Sequence, residues 1–260
     1  MVKGVGKTTA IIQARYSSER LPGKVMLPLG QHSMLGRVIS AVQRAGLVDE
    51  IWLATSKQAA DDILEAEGQK HGIPVFRGSE SDVLDRFYKA ALESRPDNLV
   101  RVTADNPFTY HGFIDEAIRE LVYNNYDYTR HINIPVGSGV EVFKFKVLEE
   151  AAHNAIDSEE REHITLYINN KRDAFKIGLL AAGSGLNRSD LRLTVDTEED
   201  YMLARAIVYF LGDQCLDLKQ IIELFDQQPW LSYVNKNIEQ YNPARQFRSP
   251  DAGDDEEVPS

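Results

Sequence analysis

The run Thr9-Ala-Ile-Ile-Gln-Ala-Arg-Tyr-Ser-Ser-Glu-Arg-Leu-Pro-Gly-Lys24 divides at Ala14 into two kinds of chain. Thr9 to Ala14 is short and apolar, the composition of a buried strand. The loop from Ala14 to Lys24 carries three cations, Arg15, Arg20 and Lys24, the hydroxyls of Ser17 and Ser18, and a Pro-Gly turn. A buried strand followed by such a loop is the opening unit of an open α/β sheet, where ligands bind beyond the carboxyl ends of the strands. Cations, hydroxyls and the close backbone approach that Gly23 permits could together cradle a triphosphate. The competing reading is a solvated loop whose charges face water.

Outward from this unit the pattern alternates. Met34, Leu35, Val38, Ile39 and Val42 form one apolar helical face, and Ile51-Trp-Leu-Ala-Thr55 reads as the next strand. Ala59 to Lys70 predicts a helix, Pro74-Val-Phe76 a short strand, Val83 to Leu92 a helix, and Leu99-Val-Arg-Val-Thr103 a strand. Strands alternating with helices imply a three-layer fold on a mostly parallel, mixed sheet. Beyond Pro107 a helix through Phe113 to Leu121 leads to Tyr126–His131 and the loop Pro135-Val-Gly-Ser-Gly139. Val140 to Phe145 reads as a strand, and two helices occupy roughly 146–168. Leu191-Arg-Leu-Thr-Val195 returns to the sheet before a helix from Glu198 to Leu211. One domain is expected over 1–245: a nucleotide part at about 8–107, an acceptor and dimer part at about 108–190, and a metal-binding return strand with terminal helices at about 191–245. Asp217 to Tyr241 carries no readable motif and is either a dimer arm or extra core.

With 29 basic against 40 acidic residues the net charge is −11, which argues against a nucleic-acid surface. Asp251 to Ser260 is acidic with almost nothing to bury, so 246–260 reads as a disordered tail. No apolar run is long enough to span a bilayer, and Ala10-Ile-Ile12 is too short for a signal-peptide core, so cytoplasmic residence is expected. The single cysteine, Cys215, reads as a packed thiol. Gly4-Val-Gly-Lys-Thr-Thr9 looks like a phosphate-binding loop but lacks the distal glycine and precedes its strand, so it is read as an irregular leader.

Two aspartates stand at predicted strand ends, Asp105 and Asp196. Hard carboxylate oxygens suit Mg²⁺, which takes one or two protein carboxylates and leaves its other positions to water and substrate phosphates. Transfer at a nucleotide's α-phosphorus needs charge neutralisation and in-line approach, not a covalent protein nucleophile. Taken singly, either aspartate would serve equally as a turn residue or helix cap, with Asp196 well placed before Thr-Glu-Glu.

The stretch Ile11 to Lys24 closely resembles the signature of the cytidylyltransferase family, which includes the synthetases that activate Kdo and neuraminate-type sugar acids. Phe76-Arg-Gly-Ser79, Arg101-Val-Thr-Ala-Asp-Asn-Pro107, Val140-Glu-Val-Phe143, Arg161-Glu-His-Ile-Thr165 and Arg192 to Asp200 resemble the branch of spore coat polysaccharide biosynthesis protein F. The resemblance runs from about Thr9 to Leu211. It implies a nucleotide-diphospho-sugar-transferase fold (GT-A-like, Rossmann-like) and transfer of CMP from CTP to an anionic sugar acid or related acceptor. It further implies Arg15, Arg20 and Lys24 on the triphosphate, with Ala14, Ser17 and Gly23 beside them, and Mg²⁺ on Asp105 and Asp196. Arg77 and Ser79 become candidates for the nucleotide pocket, although Arg77 could equally pair with Glu80 or Asp82. Gly139, Glu141, Arg161 and His163 could line the acceptor pocket, Arg161 by a two-pronged contact with a carboxylate or phosphate and His163 as a base. Relatives of this type imply a homodimer. Tyr16-Ser17-Ser18-Glu19 and Ala104 depart from the branch's usual small residues, and Glu19 is expected to face away from the phosphates. A nucleotide-sugar-dependent glycosyltransferase of the same fold, or a catalytically silent binding module, are the alternatives.

Overall fold

The computed structural model describes residues 6–213 and 217–238; Cys215, the acidic tail and the first residues of the leader lie outside them. In chain order the elements begin with β1 (Thr8–Gln13), a small hairpin of β2 (Pro28–Leu29) and β3 (His32–Ser33), α1 (Met34–Gln43), β4 (Glu50–Ser56) and α2 (Asp62–Lys70). Next come β5 (Val75–Gly78), α3 (Val83–Ser94), β6 (Asn98–Thr103), α4 (His111–Tyr123), β7 (Tyr128–Ile132) and β8 (Glu141–Lys144). The rest comprises α5 (Phe145–Asn154), α6 (Ser158–Glu162), α7 (Leu166–Asn170), β9 (Ile177–Ala181), α8 (Glu198–Leu211) and α9 (Leu218–Gln227).

Seven strands form one sheet in the order β5-β4-β1-β6-β8-β7-β9. β1 lies between β4 and β6 and is parallel to both, as β5 is to β4 and β9 to β7. β8 alone reverses direction, antiparallel to β6 and β7. The sheet is therefore mixed and mostly parallel, as the alternating pattern requires. Its alternation also divides the core. Ala10, Ile12, Val100 and Val102 pack with α1 and α4 on one face, while Ile11, Leu99, Tyr128 and Phe143 pack with α3, α5 and α7 on the other. Carboxyl ends of β1, β4, β5, β6 and β7 and the amino end of β8 share one edge, and the candidate residues collect there.

Several expectations need correction. Leu191 to Val195 is not a regular strand: it is an extended segment joined to the loop 135–139 by one bridge, Val136 to Arg192. Leu191, Leu193 and Val195 are buried, which produces the strand-like alternation. The neighbouring loop cannot extend the ladder, because Pro135 has no N–H and Gly137 takes a positive φ of 90°. Three short helices, not two, follow β8, since the chain breaks after Asn154 and restarts at the Asp157 cap. β9 and the β2–β3 hairpin were not anticipated; β9 is short and half-exposed at a sheet edge, with no clean period. Part of the unreadable segment is extra core: α9 buries Leu218, Ile221, Ile222, Leu224 and Phe225 against α8.

Candidate active site

Ala14 continues β1 by donating its N–H to the Ala54 carbonyl, and the chain then turns into the basic loop. The Tyr16 N–H is held by the buried Asp61 carboxylate at 2.7 Å, and the Gly23 N–H closes the loop on the Tyr16 carbonyl at 3.1 Å. Gly23 is required here twice over: its φ is +69°, and a Cβ would lie 2.9 Å from the Tyr16 ring. Its N–H is thus committed within the loop, and Gly23 contributes closeness, not a donor. Arg15 is exposed and makes no ion pair among the described residues; Ser17 is exposed, its hydroxyl 3.4 Å from Glu80. Glu19 is exposed and unpaired among the described residues.

Asp61 was missed by sequence reading. Besides Tyr16 it accepts from the Thr55 hydroxyl at 2.8 Å and from both the backbone and the hydroxyl of Ser56, so it fastens the loop to the end of β4. Burial pushes its carboxyl up, and these hydrogen bonds more than offset that, leaving it below the usual carboxylate range. A carboxyl so depressed adds stability that is complete above its unfolded pKa of about 3.9 and is lost as pH falls through the folded value. Asp61→Asn should accordingly be less stable than the parent in urea at pH 7, with the gap narrowing as the pH is lowered below about 4; a pH-independent gap would contradict this.

The two aspartates converge. The Asp105 carbonyl accepts the Val195 N–H at 2.9 Å, binding the end of β6 to the segment that carries Asp196. Between their carboxylates sits the Lys24 ammonium, 3.1 Å from Asp105 Oδ2, 2.8 Å from Asp196 Oδ1 and 3.0 Å from the Val195 carbonyl. Arg20 reaches Asp196 Oδ1 at 3.2 Å, and Arg192 reaches Oδ2 at 2.9 Å. Burial raises the Asp196 carboxyl, and Lys24, then Arg20 and Arg192, more than offset this and hold it low. Asp196 does not cap its helix: Thr197 is the cap of α8, in a reciprocal capping box with Asp200. Gly137 presses on this segment, since a Cβ there would lie 2.6 Å from the Thr194 nitrogen. Gly137→Ala should cost about 1–3 kcal/mol from backbone strain alone, read as a lowered melting temperature.

A basic loop, two convergent carboxylates and a cation between them thus lie together, with Asp105 following β6 and Asp196 following an extended segment. The family model described as cytidylyltransferase matches residues 9–241. This chain belongs to the cytidylyltransferase family. It is 36% identical over 225 residues to the spore coat polysaccharide biosynthesis protein SpsF of Bacillus subtilis, covering 84% of this chain and 94% of that protein. Its fold is similar to a cytidylyltransferase of Leptospira borgpetersenii, with a TM-score of 0.83 at 28% identity over 91% of this chain and 99% of that one. A CMP:2-keto-3-deoxy-manno-octonic acid synthetase complexed with CTP shares the fold, with a TM-score of 0.61 at 17% identity over 78% and 99%. The chain is a nucleotidyltransferase, and among its described residues no helix is long and apolar enough to cross a membrane.

The other candidates of this cytidylyltransferase are held more by the protein than the sequence suggested. Arg77 turns to Asp62 and Glu65, at 2.6 and 2.9 Å, and to two backbone carbonyls, and not to Glu80 or Asp82. The Ser79 hydroxyl accepts the Asp82 N–H at the start of α3. Arg161 donates to Asp82 at 2.6 Å and to the Ala152 and Ala155 carbonyls, a brace between α3 and α5 that uses the two-pronged capacity internally. Gly139 is crowded by Ile134, 2.5 Å from where a Cβ would lie. Glu141 is engaged by Arg101, by the Tyr128 hydroxyl and by Thr165 at 2.9 Å; burial raises its carboxyl, but Arg101 foremost and then these donors bring it below the usual range. His163 is half-buried, and burial lowers its pKa, opposed by Glu162 and then assisted by the Arg101 charge.

Proposed function

We propose that this enzyme transfers CMP from CTP to an anionic sugar acid or related acceptor, releasing pyrophosphate, in the assembly of surface-polysaccharide precursors, and that it does so in the cytoplasm as a homodimer. The observation that carries the reading is the Lys24 ammonium seated between Asp105 and Asp196 beside a basic loop. The kinship with SpsF supports the polysaccharide context, and the CTP bound to the Kdo-activating synthetase of the same fold supports the nucleotide.

The carboxylates fit a divalent cation on this structure's own terms, because a cationic atom already sits within 3.1 Å of both. Two carboxylates are as many as Mg²⁺ commonly takes from a protein, its other positions being filled by water and phosphate oxygens. Mg²⁺ bound there would neutralise phosphate charge as pyrophosphate departs. Arg15 and Arg20 are exposed cations available to the triphosphate, and Lys24 is positioned to exchange its carboxylate partners for phosphate oxygens once a nucleotide binds. An acceptor oxygen attacks the α-phosphorus, the bond to the β-phosphate oxygen breaks, and a neutral His163 is the candidate base for an acceptor proton. Nucleotide-dependent pyrophosphate release, screened with sugar acids, phosphorylated polyols and phosphonates against CTP, ATP, GTP and UTP, tests this. Release with CTP and one anionic acceptor is expected; release confined to another nucleotide, or hexose transfer from a nucleotide sugar, would overturn it.

A further inference from the structure

The acceptor side of the sheet holds a cation that the protein does not use. Arg101, Glu141 and Arg130 lie in register across three adjacent strands, β6, β8 and β7, with Leu179 of β9 next in line. Directly opposed residues project from the same sheet face. The Tyr128 hydroxyl, two residues before Arg130, reaches Glu141 on that face, the face covered by α3, α5 and α7. Leu179 is 45% exposed, so the row opens to solvent at its outer end.

Glu141 would be the obvious partner for Arg130, yet its two oxygens go to Arg101, Tyr128 and Thr165. Arg130 is half-buried, and its guanidinium makes no ion pair or hydrogen bond among the described residues; its Nε is fully covered and unsatisfied. A covered N–H with no acceptor is uncommon and calls for a ligand or another specific cause. Its charge bears on Arg172, whose pKa is lowered first by burial and then by Arg130. A half-buried guanidinium without an acceptor among the described residues, two residues along the strand from a phenol that burial keeps protonated, forms a receptor for an oxyanion.

We propose that Arg130 binds the acceptor's anionic group, a carboxylate or phosphate, and so sets the enzyme's preference for charged acceptors. This rests on the reading that the enzyme transfers a nucleotide to an anionic acceptor. It takes over the role that sequence alone suggested for Arg161. The fork of the guanidinium makes Arg130 a specificity residue, not a catalytic one.

The test uses the full chain with CTP and Mg²⁺ present, so that the first loop is occupied, at ionic strength held constant with chloride. Melting temperature is followed against inorganic phosphate in one arm and 2-oxobutyrate in the other, for the parent, Arg130→Met, Arg130→Lys and the exposed control Arg119→Met. Saturable stabilisation is expected in the parent and in R119M, absent in R130M, and weakened about tenfold in R130K, which keeps charge but not the fork. The arm that responds identifies phosphate or carboxylate as the preferred group. Equal anion-dependent shifts in parent and R130M, no shift in the parent with either anion, or equal loss in R119M would each overturn the proposal. R130K keeps the test usable should R130M fail to fold. CTP affinity, measured separately by calorimetry, should match between parent and R130M; no CTP binding in either would sink the nucleotide reading while leaving the anion arms decisive for Arg130.

Discussion

Asp196→Asn should lower the rate of nucleotidyl transfer by about 10³-fold, the scale of losing one group that stabilises transition-state charge in a sheltered site. The carboxamide keeps the shape and removes the charge. In the parent, Asp196 faces Lys24 at 2.8 Å, Arg192 at 2.9 Å and Arg20 at 3.2 Å. Neutralising it leaves Asp105 as the remaining carboxylate on Lys24 and removes half of the proposed metal-binding set. Steady-state pyrophosphate release together with a melting curve separates this from unfolding. A variant that melts near the parent yet has lost turnover supports the assignment. Turnover within a few-fold of the parent would mean that Asp196 is only a structural counter-ion for the three cations.

The largest effect on stability is expected at Asp200. This side chain is 2% exposed and accepts from Arg192 twice, at 2.9 and 3.0 Å, from the backbone of Asp196 and Thr197, and from Asn235 at 2.8 Å. Alanine there would take two hydrogen bonds from the Arg192 guanidinium and leave two backbone donors unsatisfied while breaking the capping box of α8. Removing one partner of a buried ion pair costs about 3–5 kcal/mol. For a chain of this size that corresponds to a fall in melting temperature of roughly 10 °C. Asp200→Asn, which keeps one acceptor oxygen, should fall between. A parent-like melting curve for the alanine variant would show that Arg192 is compensated without Asp200.

The sheet was legible because its information is local. Thr9–Ala14, Ile51–Thr55 and Leu99–Thr103 are apolar runs bounded by polar turns, and each is a strand within a residue or two of its expected limits. The strand ends that carry Arg15 and Asp105 followed from position along the chain, whereas Asp196 follows an extended segment that only reads like a strand. Which cations touch which carboxylates did not follow, since Lys24 meets Asp196 across 172 residues. Asp61 and Asp200 were passed over for the same reason. An aspartate before a helix reads as an ordinary helix-start residue, and only packing shows that one carboxylate gathers distant donors. Arg77 and Arg161 show the same limit from the other side: a basic residue at a strand end or within a family-like string looks free until its internal acceptors are placed. Arg130 sits in a strand with no motif, and its lack of a partner among the described residues is visible only in three dimensions.

The most direct measurement is calorimetric titration of CTP, with and without Mg²⁺, into the parent chain and into the Asp105→Asn and Asp196→Asn variants. The site described here predicts one CTP per chain, tighter with Mg²⁺, preferred over ATP and GTP, with the metal enhancement lost in both variants. CTP binding that ignores the metal and survives both substitutions unchanged would contradict it.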